Sequence, residues 1–121
     1  MRPQLSAALA VLVLPFILIS AVADDWPQWR GPDRNGISRE TGWLVNWPPV
    51  EAWRQSIGVG YSSVSVSGTR LYTMGYSNGM DWVYCFDALT GTQIWTRSYA
   101  STLGGTYPGT RATPTICGPE L

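Results

Sequence analysis

The sequence predicts an all-β fold of short antiparallel strands in repeated units, and three observations lead to this prediction. Residues 62–71 return fifty positions later as residues 112–121, and both copies read as small residues, an alternating strand, a Gly turn and a new strand. Residues 52–56 are echoed forty-two positions later by residues 94–98. No helical periodicity appears after residue 23. Strand-rich repeats of about 40–50 residues are typical of propellers or solenoids.

Residues 1–23 are predicted to be a secretory signal peptide. Arg2 supplies a positive start, residues 7–19 are apolar apart from one proline, and the small residues at 21–23 fit a cleavage site after Ala23. The alternative is a membrane anchor, but the apolar run is shorter than the ~20 residues of a span. We therefore expect an exported protein, periplasmic or secreted, with no stable membrane span after cleavage.

The rest of the chain is close to electrically neutral. It carries seven Arg and eight acidic residues, and the whole chain has neither Lys nor His. Because nucleic-acid binding needs clustered positive charge, a nucleic-acid partner is not expected. The lack of His removes the commonest general base and metal ligand. We therefore predict no catalytic residue and no metal ligand in these 121 residues.

Two cysteines, Cys85 and Cys117, remain to be explained. Export would permit a disulfide between them. Each lies in or beside a predicted strand of a different repeat, however, and buried or edge thiols are the interpretation that we favour.

Residues 24–51 are predicted to form an ordered cap, because they combine Pro and Gly with several tryptophans, unlike a flexible linker. Trp26 and Trp29 would pin this segment to the sheet, with Arg30 stacked on one of them.

The strands follow in order along the chain. They are predicted at residues 52–57, 62–66, 70–74, 82–86 and 93–99. Three turns separate the last four strands: one at Gly68, an Asn-Gly hairpin turn at 78–79, and a turn at 87–91. Residues 62–99 are thus predicted to form a four-stranded antiparallel meander. A fresh copy of its beginning comes next, as expected for one propeller blade and the start of another.

The turn at 87–91 carries the most specific motif. The segment DALTGTQIW at 87–95 resembles the tryptophan-docking motif of quinoprotein propellers, in which Asp, Thr, Gly and Trp stand at the positions of Asp87, Thr90, Gly91 and Trp95. Cys85 occupies the place of a usual Ala. The opening DWPQWRGPDRNG at 25–36 and the segment YPGTRATPT at 107–115 also resemble exported propellers of planctomycete-type bacteria. The chain is thus similar to the pyrroloquinoline quinone (PQQ)-like repeat family of β-propellers.

This resemblance implies an organisation for residues 52–121. Residues 62–99 would be the first blade and residues 112–121 the start of a second, so we expect the protein to continue past Leu121. Residues 52–57, with Trp53 in a context like that of Trp95, would be the outer strand of the last blade, which the N-terminus lends to close the ring. The docking tryptophans would join neighbouring blades by burying a large flat ring.

Two functions are compatible with the resemblance. The one that we favour is a non-catalytic module of the cell envelope that binds a protein, peptide or polysaccharide; the family that the chain resembles includes the propeller lipoprotein of the outer-membrane assembly machinery. The alternative is a PQQ- and calcium-dependent alcohol dehydrogenase, in which the resemblance implies PQQ between a Trp and a vicinal Cys-Cys disulfide, and Ca²⁺ held by Glu, Asn and Asp. Arg111 lies where a blade begins at the central channel and could contact an anionic ligand. The simpler interpretation is that Arg111 satisfies loop carbonyls.

Overall fold

The computed structural model describes residues 24–42, 47–102 and 106–118. These residues form an all-β unit, a four-stranded antiparallel sheet whose strands are adjacent in chain order. The strands are β1 (Ser65–Ser67), β2 (Arg70–Ser77), β3 (Met80–Asp87) and β4 (Gln93–Ala100). This confirms the predicted meander. None of the described residues forms a helix that is long and apolar enough to cross a membrane. The predicted signal peptide at 1–23 lies outside the described residues.

Left-handed turn residues connect the strands. Asn78 and Gly79, with φ of 51° and 76°, join β2 to β3 as the Asn-Gly pair predicts. Gly68, with φ of 55°, lies in the turn between β1 and β2. The strands are longer than the sequence pattern indicates, except β1, which is shorter. Residues 62–64 lie outside β1 because they bond to β2 and to the second repeat copy partly through side chains.

Strand alternation gives the sheet two different faces. One face carries an aromatic row on β3, Trp82, Tyr84 and Phe86, whose neighbouring rings lie 6.5 and 5.7 Å apart. The opposite face carries Tyr72 and Cys85, which are buried. The core is therefore the sheet itself together with the segments that cover its two faces.

Residues 52–57 cover the aromatic face and do not form a strand. The Trp53 ring lies 6.2 Å from the Phe86 ring. The Ile57 backbone lies so close to Gly75 that a Cβ there would fall on the Ile57 carbonyl oxygen. Val59 then forms a single antiparallel bridge with Tyr76. The predicted strand at 52–57 is thus wrong for the described chain, which offers this segment no neighbouring strand. Its predicted part in closing a ring remains a prediction.

The two repeat copies lie side by side and run parallel. Gly60 forms a parallel bridge with Thr110, fifty positions later. The Ser63 N–H donates to Thr113 Oγ1 at 3.1 Å, again fifty positions away. Residues 112–117 form no strand of their own, and residues 119–121 lie outside the described part. The second repeat copy is therefore seen as a segment packed against the first copy, and its part in a second unit stays a prediction.

The cap joins the sheet at β1. Backbone hydrogen bonds of 2.9 Å link Trp26 and Val66 in both directions. Asp25 accepts hydrogen bonds from the Ser67 hydroxyl at 3.0 Å and the Gly68 N–H at 2.8 Å. Trp26 therefore pins the cap as predicted. Trp29 does not, because 62% of it is exposed.

The two cysteines are not joined to each other. Cys85 is buried in β3, and Cys117 is exposed in the second repeat copy. This agrees with the thiol interpretation.

Candidate functional site

The turn between β3 and β4 is organised by one carboxylate. Asp87 Oδ1 accepts hydrogen bonds from the Leu89 N–H at 3.1 Å, the Thr90 N–H at 2.8 Å and the Thr90 hydroxyl at 2.9 Å. Asp and Thr are suited to this because their short side chains reach nearby backbone amides. Gly91 ends the turn with φ of 70°, a conformation that favours glycine. The predicted motif residues Asp87, Thr90 and Gly91 therefore act as one unit.

These hydrogen bonds stabilise the charged form of the carboxyl group. The Thr90 N–H, and next the Thr90 hydroxyl, hold the pKa of Asp87 below its ordinary value. Burial opposes this lowering to a smaller extent, and the Leu89 N–H adds a still smaller lowering. Asp87 is thus a structural anion that fixes the turn.

Trp53 lies on this turn, although it belongs to a segment more than thirty residues earlier. Its Nε1–H donates to the Ala88 carbonyl oxygen at 3.0 Å. Its ring covers Gly91 so closely that a Cβ on Gly91 would come 2.5 Å from Trp53 Cδ2. Gln55 adds a second link, because its Nε2 donates to the Gly91 carbonyl oxygen at 2.9 Å. The turn therefore forms the surface on which the indole ring of Trp53 packs.

Trp95, the tryptophan of the motif itself, lies elsewhere. Its ring is 5.9 Å from Tyr72 on the opposite face of the sheet, with the Arg97 guanidinium 5.9 Å above it. The ring is half-buried. The structure thus brings Trp53 together with Asp87, Thr90 and Gly91 but leaves Trp95 on the other face.

Arg111 is exposed, and its Nη2 donates to the Tyr107 carbonyl oxygen at 2.9 Å. This is the contact that the simpler interpretation expects. Its role at a channel stays a prediction.

A second concave region lies between the cap and the second repeat copy, and the sequence motifs did not indicate it. We call it the arginine cleft. It has a volume of about 380 Å³ and is lined by Gln28, Trp29, Arg30, Arg34 and Thr115. Arg30 and Arg34 both adopt left-handed backbone conformations, with φ of 64° and 55°. Such conformations cost about 1–3 kcal/mol each in residues other than glycine.

The cofactor of the alternative function finds no ligand set here. Across residues 24–42, 47–102 and 106–118, no three Cys, Asp or Glu side chains come close enough together to hold a metal ion. Cys85 and Cys117 are not neighbours in the sequence. The dehydrogenase alternative, with its calcium and vicinal-disulfide set, stays a prediction.

The turn holds an indole ring, and the arginine cleft presents guanidinium groups beside an exposed aromatic ring. Comparison with protein-family models, with curated proteins and with solved structures found no match to this chain.

Proposed function

We propose that this chain is the beginning of an exported β-propeller of PQQ-like repeats that serves as a binding or scaffolding module in the cell envelope. The observation that carries the proposal is the contact of Trp53 with the turn at 87–91. In a ring of such repeats, a tryptophan at the end of one unit would cover the turn of the next unit in this way and so join neighbouring sheets.

The parallel repeat copies also support this architecture. Equivalent residues fifty positions apart, Gly60 with Thr110 and Ser63 with Thr113, lie next to each other without a shift in register. Units related by rotation about a common axis would place their innermost strands in this way, and a solenoid or propeller is the usual result.

Both faces of the sheet are covered by other segments of the chain, and this also supports the proposed propeller. Residues 53–57 lie on the aromatic face, and the Ser65 hydroxyl on the other face donates to the Pro114 carbonyl oxygen. One sheet is therefore enclosed between an earlier and a later segment of the chain. A blade between two neighbours has this environment.

The chemistry of the turn is compatible with a binding role. Asp87, Thr90 and Gly91 are occupied in shaping a turn, and the chain has no His to act as a general base. Fold alone does not determine function. A structural role for the motif therefore leaves binding at exposed surfaces as the activity that the described residues favour.

The proposal is tested on the mature protein from its native host. We expect mass spectrometry to find Asp24 as the first residue, and the protein to sediment with the washed envelope. We also expect no reduction of an artificial electron acceptor with simple alcohols when PQQ and Ca²⁺ are added, relative to a control without PQQ. PQQ-dependent dye reduction would establish the dehydrogenase instead. A protein that keeps residues 1–23 and stays in the cytoplasm would refute the proposed export.

A further inference from the structure

We propose that the arginine cleft binds the acidic group of a saccharide, a uronate carboxylate or a sulfate ester. This inference rests on the proposed envelope function and names a ligand class for it. The cleft is lined by Gln28, Trp29, Arg30, Arg34 and Thr115. Its volume is about 380 Å³, and it is open to solvent.

The charge in the cleft is not neutralised from within. Arg30 and Arg34 line it, and no acidic residue does. The nearby carboxylates are occupied elsewhere: Asp33 pairs with Arg39 at 2.6 Å, and Glu40 accepts the Asp24 N–H at 2.8 Å. In the part of the chain that the structure describes, neither Arg30 nor Arg34 forms an ion pair. The cleft is thus a local positive region on an otherwise neutral chain.

The two guanidinium groups are held in position by neutral partners. Arg34 Nε donates to Gln28 Oε1 at 3.1 Å, and the Gln28 amide in turn donates to the Pro32 carbonyl oxygen at 3.3 Å. Arg30 Nη2 donates to the Asn35 carbonyl oxygen at 3.3 Å. Neutral partners orient an arginine without cancelling its charge, so each group keeps donors for an anion. Planar guanidinium groups pair especially well with carboxylates and sulfate-like oxyanions.

An aromatic ring gives the cleft its preference for a sugar. Trp29 is 62% exposed, and the Arg30 guanidinium lies 5.5 Å from its ring centre. An exposed indole offers a flat apolar face beside a polar N–H, and the C–H groups of a pyranose ring can pack on such a face. An acidic sugar would place its ring on Trp29 and its anion between Arg30 and Arg34. A free inorganic ion would contact only Arg30 and Arg34 and not the ring of Trp29.

The backbone is strained at both arginines of the cleft. Arg30 and Arg34 both have positive φ, where Gly or Asn would be less strained. The substitutions Arg30→Asn and Arg34→Asn therefore remove charge without opposing the local backbone. This makes the cleft testable with variants that should fold.

The test is isothermal titration calorimetry on the mature full-length protein. The probes are oligogalacturonate with its methyl ester as neutral partner, and dextran sulfate oligomers with dextran as neutral partner. We expect one acidic probe to bind at least about tenfold more tightly than its neutral partner. The double variant Arg30→Asn/Arg34→Asn should weaken that binding by about tenfold or more, and Trp29→Ala should also weaken it. Whichever acidic probe binds identifies the anion as carboxylate or sulfate.

Arg54→Gln is the matched control. Arg54 is exposed and pairs with Glu51 at 2.6 Å, so this variant loses one positive charge outside the cleft and is compared with each single variant, Arg30→Asn and Arg34→Asn. It should retain binding within about twofold of the wild type. Equal loss in Arg54→Gln would overturn the assigned site. Equally tight binding of an oligoglutamate of matched charge would overturn the saccharide, as would the absence of binding by both acidic probes. If the wild-type protein sediments with the envelope but binds neither acidic probe, only this inference is refuted. If the wild-type protein does not sediment with the envelope, the proposed function is refuted.

Discussion

Trp53 and Trp95 stand in echoed segments forty-two residues apart, yet their surroundings differ. Trp53 donates a hydrogen bond of 3.0 Å to Ala88 and covers Gly91. Trp95 packs beside Tyr72 on its own sheet, and Arg97 lies over its ring. The difference lies in what each ring meets and not in its local sequence. Trp53 meets a turn that Asp87 has shaped, and no equivalent DxxTG turn comes after Trp95 within the 121 residues.

This contrast indicates that docking is a property of two partners. A tryptophan provides area and one N–H donor, while the turn provides an open glycine and a carbonyl oxygen that points outward. Both rings are half-buried, so the two tryptophans differ in their contacts and not in their burial. The turn, the indole and the charge that holds the turn can each be changed separately, and we expect the effects to decrease in that order.

The largest effect is expected from Gly91→Ala. A Cβ there would lie 2.5 Å from the Trp53 ring, and φ of +70° is unfavourable for alanine. The Trp53 ring must therefore move, so this variant loses the docking contact and also gains backbone strain. We expect a loss of about 2–4 kcal/mol in the free energy of unfolding, measured by urea denaturation of the mature protein.

Gly79→Ala is the matched control for that variant. Gly79 has φ of +76°, but nothing lies within 4 Å of the position where its Cβ would be. This substitution therefore carries backbone strain alone, about 1 kcal/mol. The additional loss of unfolding free energy in Gly91→Ala, relative to Gly79→Ala, is therefore due to the contact with Trp53. Equal losses in the two variants would show that the contact contributes nothing.

A smaller effect is expected from Trp53→Phe, which keeps an aromatic ring but removes the N–H donor. The Ala88 carbonyl oxygen loses its partner, and the loss should be about 1–2 kcal/mol in the same measurement. Trp29→Phe, at an exposed position, should change little. Trp95→Phe sharpens the comparison. It should match Trp53→Phe only in a protein that includes a subsequent DxxTG turn, and equal losses without such a turn would contradict the two-partner account.

The sequence predicts the sheet well because its signals are local. Alternation on β2 and β3 and the Asn78-Gly79 pair determine strands and turn through neighbouring residues, and the structure confirms them. Residues 52–57 read as a strand but form none, since a strand needs a partner and the described chain provides none. The position of Trp53 on the turn depends on a contact between residues more than thirty apart. Composition and periodicity carry no record of such a contact.

The arginine cleft escaped prediction for the same reason. Arg30 and Arg34 look like ordinary polar residues of a Gly- and Pro-rich loop. Only the structure shows that Thr115 of the second repeat copy lies in the same cleft, where an N–H of the neighbouring Ile116 bonds to the Pro27 carbonyl oxygen at 2.8 Å. The close spacing of two arginines beside Trp29 was the one available signal.

The smallest effect is expected from Asp87→Asn, and it depends on pH. Because the folded pKa of Asp87 is lowered by its Thr90 hydrogen bonds, the ionised carboxylate stabilises the fold. That contribution is complete above the unfolded pKa of about 3.9 and is lost as the pH falls through the lower folded pKa. The Tm difference between wild type and Asp87→Asn should thus be constant from about pH 7 to pH 5 and shrink below about pH 4. Thr90→Val keeps the backbone N–H and removes the hydroxyl. At neutral pH it should lower the Tm, relative to the wild type, by less than Asp87→Asn does. Its Tm difference from the wild type should also change less as the pH falls. A Tm difference that grows as the pH falls would mean that the charge of Asp87 opposes the turn.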